Sequence, residues 1–492
     1  MNAAGGADGL RVLIRTAASA TIGAGHAART AAVARELARL GARVSWACDR
    51  ETVPALVERG VDAGGIAVLE CPATAHRSGE TQASEKEQQA DAREIAALGR
   101  TDIVLVDSYQ LGKPWLTAMR ATGARLATFD DLRDRPLDAD LVINAAATPD
   151  EYRELAPGAR MLGGLRHGII GDPARPAAAG PGDVLLAFGA ADPGQLTERT
   201  LLALAARKAT RGRLVVQLGS TARARAEATV RSVPGATFAP EGPTSPGVPA
   251  LAIGAAGVGL LERLHAGVPG IVVVAAENQR GLARSADHAG AVVVVGSPEE
   301  ATEAAARMLA DSQLLARMSA AGRAAVDGRG AARVARELNR LAGVDLRRAT
   351  LHDAELLHRW RNDPSVRAVS HTTDEIPWET HVRWLESSLA RGDRHVLVAE
   401  RRGRPLGTLR FDVSGDRATV SIAVDPALHG SGLGPAILDA GDAWLEANDA
   451  RVRTCRAEIR DGNDASVRAF LAAGYLPGTD SYERPVGRRT EA

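Results

Sequence analysis

Through residues 11–146, short apolar runs alternate with longer stretches of helical period. The runs R-V-L-I-R, A-R-V-S-W-A-C, D-I-V-L-V-D, A-R-L-A-T-F-D-D and D-L-V-I-N-A have strand length and end near a polar residue or a turn. After the first of them, Val33, Leu37 and Leu40 recur at helical spacing, and the stretch stops at Gly41, a residue suited to a helix C-cap. Such alternation predicts right-handed strand-helix-strand units and a doubly wound parallel sheet.

Residues 171–183, G-D-P-A-R-P-A-A-A-G-P-G-D, show no periodicity and read as a linker. A second series follows, with strands in V-L-L-A-F-G-A-A-D-P, R-L-V-V-Q-L-G, G-I-V-V-V-A-A and A-V-V-V-V-G and helices over residues 201–208 and 301–315. From residue 346 the pattern changes. A helix in A-E-L-L-H-R-W-R-N-D leads into a hairpin, H-V-L-V-A-E-R-R-G-R-P-L-G-T-L-R-F-D, that turns at R-G-R. A further strand, A-T-V-S-I-A-V-D-P, precedes a glycine loop that opens a helix. The division predicted is therefore 1–170, 171–342 and 343–492.

A chain of 492 residues is long enough for about three such domains. Apolar residues make up 45% and charged residues 24%, an ordinary globular composition. Lys plus Arg equals Asp plus Glu at 60 each, which leaves no net charge to attract nucleic acid or an anionic membrane. Cys48, Cys71 and Cys455 lie far apart without metal or redox spacing, and no apolar run has the length of a signal peptide core or a membrane span. The reading is a cytoplasmic enzyme of small-molecule chemistry, without disulfide, metal or redox cofactor.

Candidate chemistry collects at glycine turns. Gly23, Gly25 and His26 belong to a strand-to-helix turn, where backbone amides attract a phosphate and the helix dipole favours a neutral imidazole that takes up a proton; Arg15, Gly23 and Gly25 are candidate substrate contacts. His26 is thus a candidate general base, or an incidental residue of a glycine turn. Asp107, Asp130, Asp131 and Asn144 fall at carboxyl ends of strands, where doubly wound sheets bind ligands, although helix capping explains any one of them equally well. A second turn at residues 254–259 offers amides to a pyrophosphate, with Glu262 placed either to accept ribose hydroxyls or simply as a solvated helix residue. A third, Gly430 to Gly434, offers the same to another pyrophosphate.

The stretches R-T-A-A-S-A-T-I-G-A-G-H-A-A-R-T, D-S-Y-Q-L, F-D-D-L, V-I-N, F-G-A-A-D-P, G-A-A-G-V-G-L-L-E-R-L-H-A-G-V-P and E-N-Q, in this order over residues 11–342, resemble a family of UDP-sugar hydrolases. These remove UDP from UDP-2,4-diacetamido-2,4,6-trideoxy-β-L-altropyranose in pseudaminic acid biosynthesis. The resemblance implies two doubly wound Rossmann-like domains in the B-type glycosyltransferase arrangement. It also implies that His26 activates water, that Asp107, Tyr109 and Asp131 lie on the sugar side, and that Gly257, Glu262, Glu277, Asn278 and Gln279 hold the nucleotide. The chain departs from that family at Ala17 (aspartate), Ser108 (histidine), and Val258 and Gly259 (serine or threonine).

The last segment resembles the GNAT acetyltransferases, an α/β fold with a mixed sheet. H-G-S-G-L-G matches their pyrophosphate loop with His429 in the usual Arg or Gln slot, and N-D-A-S-V-R-A-F-L-A-A-G-Y matches their later pattern through Asn463 and Ser466. The resemblance implies acetyl-CoA as co-substrate, held by Gly430, Gly432 and Gly434, with the backbone near Ile422 and Val424 facing the thioester. Phe470 stands where many relatives carry a tyrosine acid. Glu458 is either the base that deprotonates the acceptor amine or a strand-end carboxylate. W-R-N-D-P-S-V-R and R-F-D are similar to members acetylating the 4-amino group of the same UDP-sugar. Together the resemblances imply N-acetylation of a UDP-4-amino-sugar followed by hydrolytic release of UDP. A glycosyltransferase with an acceptor hydroxyl in place of water, and a binding regulator that has lost its chemistry, are the other readings.

Overall fold

The structure is a computed structural model that describes residues 9–18, 25–70, 82–171, 182–189, 192, 194–207, 212–239, 248–479 and 481–486. Gly23, Cys71 and the F-G-A-A-D-P residues Ala190, Ala191 and Pro193 lie outside these, as does most of the expected linker. By contacts the chain forms two compact units, Arg11–Arg39 with Val44–Ala335, and Arg336–Ala492 with two short N-terminal pieces.

The first unit contains two parallel sheets. One is built from β1 (Arg11–Thr16), β2 (Arg43–Cys48), β3 (Ile66–Val68), β4 (Ile103–Asp107), β5 (Arg125–Phe129), β6 (Leu141–Asn144) and β7 (Arg160–Gly163), in the order β3-β2-β1-β4-β5-β6-β7. The five apolar runs read from the sequence are all strands of this sheet, and all but the first half of β2 is largely buried. Strand order reverses between β1 and β4, which are paired from Val12 opposite Ile103 to Thr16 opposite Asp107. That reversal opens a crevice beyond the strand ends.

The other sheet consists of β8 (Val184–Ala187), β9 (Leu214–Val216), β10 (Ala236–Phe238), β11 (Leu251–Gly254), β12 (Gly270–Val273) and β13 (Val292–Val295), in the order β10-β9-β8-β11-β12-β13 and parallel throughout. Its reversal lies between β8 and β11. The helix expected over residues 301–315 is two helices, Pro298–Leu309 and Ser312–Ala325. The break occurs because Asp311 turns its side chain onto the Leu314 amide and caps the second helix.

The second unit is a mixed sheet of β14 (Asp345–Arg348), β15 (Arg394–Arg401), β16 (Arg404–Ser414), β17 (Arg417–Val424), β18 (Thr454–Ala457), β19 (Leu476–Pro477) and β20 (Tyr482–Pro485). All its pairs are antiparallel except β17 with β18. The predicted hairpin turns on Arg402 and Gly403, both at positive φ (54° and 77°), the backbone a two-residue turn needs to follow strand twist. The fold is therefore two doubly wound parallel sheets followed by a mixed α/β sheet.

Contacts divide the helix Gly330–Leu341 between Ala335 and Arg336, and its last turns go with the mixed-sheet unit. The end of that helix is bonded to the mixed-sheet unit: Arg340 donates to Asp439 at 2.7 Å and to the Ala472 carbonyl at 2.8 Å, and Arg401 donates to the Asn339 carbonyl at 2.9 Å. Among the described residues, no helix is long and apolar enough to cross a membrane.

Candidate functional site

Helix Gly25–Arg39 follows β1 at the crevice of the first sheet and brings His26 and Arg29, three residues apart, onto one face. Asp107, the last residue of β4, meets both. Its Oδ1 accepts a short hydrogen bond from His26 Nδ1, while Arg29 forks onto the same carboxylate, Nε to Oδ2 and a terminal nitrogen to Oδ1, at 2.6 Å each. Burial alone would raise the Asp107 carboxyl, but the Arg29 charge and the hydrogen bonds from Arg29 and His26 override it and hold the group well below the usual carboxylate range. Asp107 is thus ionised, and it fixes the His26 ring with Nε2 as its remaining nitrogen.

Asp107, expected on the sugar side, is fully buried, and its oxygens accept from His26 and Arg29. Arg15, expected to meet the substrate, is fully buried and ion-paired with Asp91 at 2.7 Å.

Arg29 also reaches Asp131 at 2.9 Å and lies over the Phe129 ring at 4.6 Å. Tyr109 donates its hydroxyl to Asp131 at 3.1 Å and packs edge-on against His26, with ring centres 4.6 Å apart. Burial and the neighbouring Asp131 push the Tyr109 phenol upward, so it serves as a neutral donor. Of the paired aspartates, only Asp131 faces open space. Asp130 is buried and accepts from the Tyr152 hydroxyl at 2.7 Å and from the Leu132 and Arg133 amides, which ties down a turn rather than capping a helix.

Arg29, Tyr109, Phe129, Asp131 and Asn144 form one wall of an open cleft. The opposite wall comes from the second sheet and includes Gly257, Val258, Asn278 and Gln279. His26 stands one layer back, reaching the lining through Tyr109 and Arg29. Gly25 opens its helix close to the second wall, where a Cβ would stand 3.4 Å from Val258. Gly257 caps helix Val258–Ala266, and a Cβ there would meet open space, so the free amides of that helix face the cleft unobstructed. Asn278 Oδ1 is buried without a hydrogen-bond partner, an acceptor waiting for a ligand donor.

Two residues expected on the nucleotide side lie away from this lining. Glu277 is exposed, paired with Arg280 at 2.5 Å and absent from the lining, because the turn Glu277–Gln279 directs its first residue to solvent. Glu262 is half-buried on the second turn of its helix and lies next to Gly171, outside the lining.

Arg29 and His167 lining the cleft were missed from the sequence. Arg29 had a signal, since it follows His26 at helical spacing. His167 had none, as it follows β7 in a glycine-rich stretch. Its Nδ1 donates to the Gly163 carbonyl at 2.6 Å, which leaves Nε2 as an acceptor. Burial first, and then Arg166 and Arg333, lower its affinity for a proton. A histidine whose folded pKa lies below the unfolded value near ~6.5 takes up a proton more readily in the unfolded chain, so its contribution to stability is complete above that pH and falls as the solution becomes more acidic. His167→Gln is therefore expected to reduce the loss of thermal stability between about pH 7 and 5. Melting midpoints across that range test it, and an unchanged pH slope would remove His167 as a source.

In the mixed-sheet unit, β17 pairs with β18 only from Arg417 to Thr419, so the backbone at Ile422 and Val424 is unpaired on that side. His429 donates from Nε2 to the Val424 carbonyl at 3.1 Å. The loop that follows has Gly430 and Gly432 at positive φ (78° and 84°), and Gly432 caps helix Leu433–Asn448. Ser431 Oγ is buried with no partner. Open amides at the start of a long helix beside an orphaned hydroxyl suit a pyrophosphate. Gly434 is needed for packing, since a Cβ there would come 3.1 Å from Ala469. Asn463 caps the next helix by accepting from the Ser466 amide at 3.1 Å. Glu458 follows β18, more than half exposed and 3.6 Å from Arg456, while Phe470 is buried edge-on against Tyr475.

Residues 344–475 match the family described as Acetyltransferase (GNAT) domain. No curated protein matches the chain. Among solved structures, it is similar to the glycotransferase of kitacinnamycin, with 17% identity, 68% of this chain and 99% of that chain covered, and a TM-score of 0.48. It is similar to MurG of Acinetobacter baumannii with 18% identity, 66% and 98% covered, and a TM-score of 0.46. Over 29% of this chain and 94% of the other, it is similar to aminoglycoside acetyltransferase AAC(6')-Ib in complex with coenzyme A, with 20% identity and a TM-score of 0.27. Likenesses of this size carry no argument about substrate.

Proposed function

We propose that the chain is a bifunctional nucleotide-sugar enzyme. Its C-terminal domain transfers the acetyl group of acetyl-CoA to the 4-amine of UDP-4-amino-4,6-dideoxy-2-acetamido-β-L-altrose, and its two parallel-sheet domains, 1–170 and from 171 onward, then hydrolyse the product to UDP and free sugar. The observation that carries the hydrolytic half is the buried Asp107 set against His26 Nδ1 behind the cleft wall. An orienting carboxylate of this kind readies Nε2 to take a proton from water as the water oxygen attacks C1. The C1–O bond breaks, and UDP leaves with the electron pair. Gly257 and the amides after it support the diphosphate, while Asn278 and Gln279 support the nucleotide. Tyr109 and Asp131 face the sugar.

In the acetyl transfer, the amine nitrogen attacks the thioester carbon, polarised by the backbone near Ile422 and Val424. Coenzyme A departs as a thiolate protonated from water, and Glu458 takes the amine proton. When bound, acetyl-CoA supplies only the activated acetyl group; Gly430, Ser431 and Gly432 hold its pyrophosphate, with His429, Gly434, Asn463 and Ser466 shaping the surrounding loop and helix ends.

The order of the steps is testable. A pocket shaped for a 4-acetamido group must bury an unpaired ammonium when offered the 4-amino precursor, at a cost of several kcal/mol. UDP release from the precursor is expected to require acetyl-CoA and to lag behind coenzyme A release. Mass analysis of UDP, coenzyme A and sugar follows both. UDP release at full rate without acetyl-CoA would sink the coupling, and UDP-sugar consumption only with an added acceptor alcohol would indicate glycosyl transfer.

A further inference from the structure

We infer that Asn339, which precedes the segment matching the acetyltransferase family, is a positioning residue of the coenzyme site. The inference rests on the acetyltransferase reading of the C-terminal domain. Asn339 sits in the last turns of helix Gly330–Leu341 and is buried. Its Nδ2 donates to the Ser431 carbonyl at 2.9 Å, in the middle of the glycine loop. Its Oδ1 accepts from Arg401 at 2.8 Å, and the same guanidinium donates to the carbonyls of Asn339 and Gly343. Arg401 can only donate, so the amide is held with its nitrogen toward the loop.

The same helix presses on the next residue. A Cβ at Gly432 would stand 2.8 Å from the Arg336 carbonyl, and Gly432 also has φ at 84°. The loop is thus pinned from behind at two successive residues. A peptide whose carbonyl is tied back toward the helix Gly330–Leu341 presents its amide edge outward, and anchoring Ser431 in this way sets the direction of the amides that a pyrophosphate would meet. The buried, partnerless Ser431 Oγ lies at the same pinned residue.

Asn339→Asp separates positioning from folding. It keeps the acceptor for Arg401, now with a charge that strengthens the bond, but sets an oxygen against the Ser431 carbonyl where a donor stood. In the full-length protein, calorimetric titration with coenzyme A alone is expected to show about tenfold weaker binding for Asn339→Asp, with little change in the ligand-free melting midpoint. In turnover, KM for acetyl-CoA should rise with kcat nearly unchanged. Asn339→Ala should also weaken binding while lowering the midpoint, since it removes both bonds. Coenzyme A affinity in Asn339→Asp within about twofold of the unaltered protein would overturn the inference. If the unaltered protein binds no coenzyme A, the acetyltransferase reading falls first and this inference with it.

Discussion

Replacing His26 with alanine is expected to slow UDP release by about 10²- to 10⁴-fold, the usual contribution of a general base, while leaving acetyl transfer intact. The ring contributes little to the core beyond its edge contact with Tyr109, and alanine suits the first turn of a helix. Its loss does leave Asp107 ionised, but the fork from Arg29 still neutralises that carboxylate. The variant should therefore fold, and the defect should lie in kcat with the UDP-sugar KM little changed. Steady-state release of UDP from the diacetamido sugar nucleotide measures it. A variant that releases UDP at an undiminished rate would take His26 out of the mechanism, and one that has lost coenzyme A binding too would point to misfolding.

The largest effect on stability is expected at Asp91. This carboxylate, on helix Glu85–Ala97, accepts from Arg15 at 2.7 and 3.2 Å and from the Trp115 indole at 2.7 Å, with no surface exposed on either charged partner. Asp91→Ala would strand a guanidinium in the core, and breaking a buried pair from one side typically costs ~3–5 kcal/mol. Against a total stability of roughly 5–15 kcal/mol, that is a large share. The double change Arg15→Met with Asp91→Leu removes both charges and should recover part of the loss, because an apolar pair is often as stable as the ions it replaces, while the Trp115 indole left without its acceptor keeps the recovery incomplete. Urea unfolding of the three proteins decides the matter. The double variant should also keep whatever rate of UDP release the unaltered protein has; a folded double variant that loses it would give Arg15 a role at the site.

Arg15 shows where reading from sequence loses its footing. The residue lies on the same turn-flanking stretch as His26, and nothing in the local pattern separates an arginine that faces a ligand from one that meets an aspartate 76 positions away. Continuous apolar runs were legible as strands because burial on both faces demands them. Ile66–Val68, Arg160–Gly163 and Ala236–Phe238 were not, being too short to show a period. Helix Glu85–Ala97 was passed over because its face is polar, although Ser84 and Glu87 form the capping box that announces such a helix. Within the site, glycine turns and strand-end carboxylates could be found from spacing, whereas the division of labour between Asp107 and Asp131 depends on which of them the fold buries. His167 reaches the cleft only through the docking of β7 at the sheet edge.

The uneven placement of indoles has a practical result. Trp46 and Trp115 belong to the first parallel sheet and its helices, and Trp360, Trp378, Trp384 and Trp444 to the mixed-sheet unit, so the second parallel sheet contains none of the six tryptophans. Intrinsic fluorescence would report the first sheet through Trp115, whose buried ring bonded to Asp91 should shift emission on release to water, and the acetyltransferase unit through its own four rings. The domain that offers Gly257 and Asn278 to the cleft would melt unseen, so a variant that destabilises only that sheet would look neutral by this method and would need circular dichroism or calorimetry to be noticed.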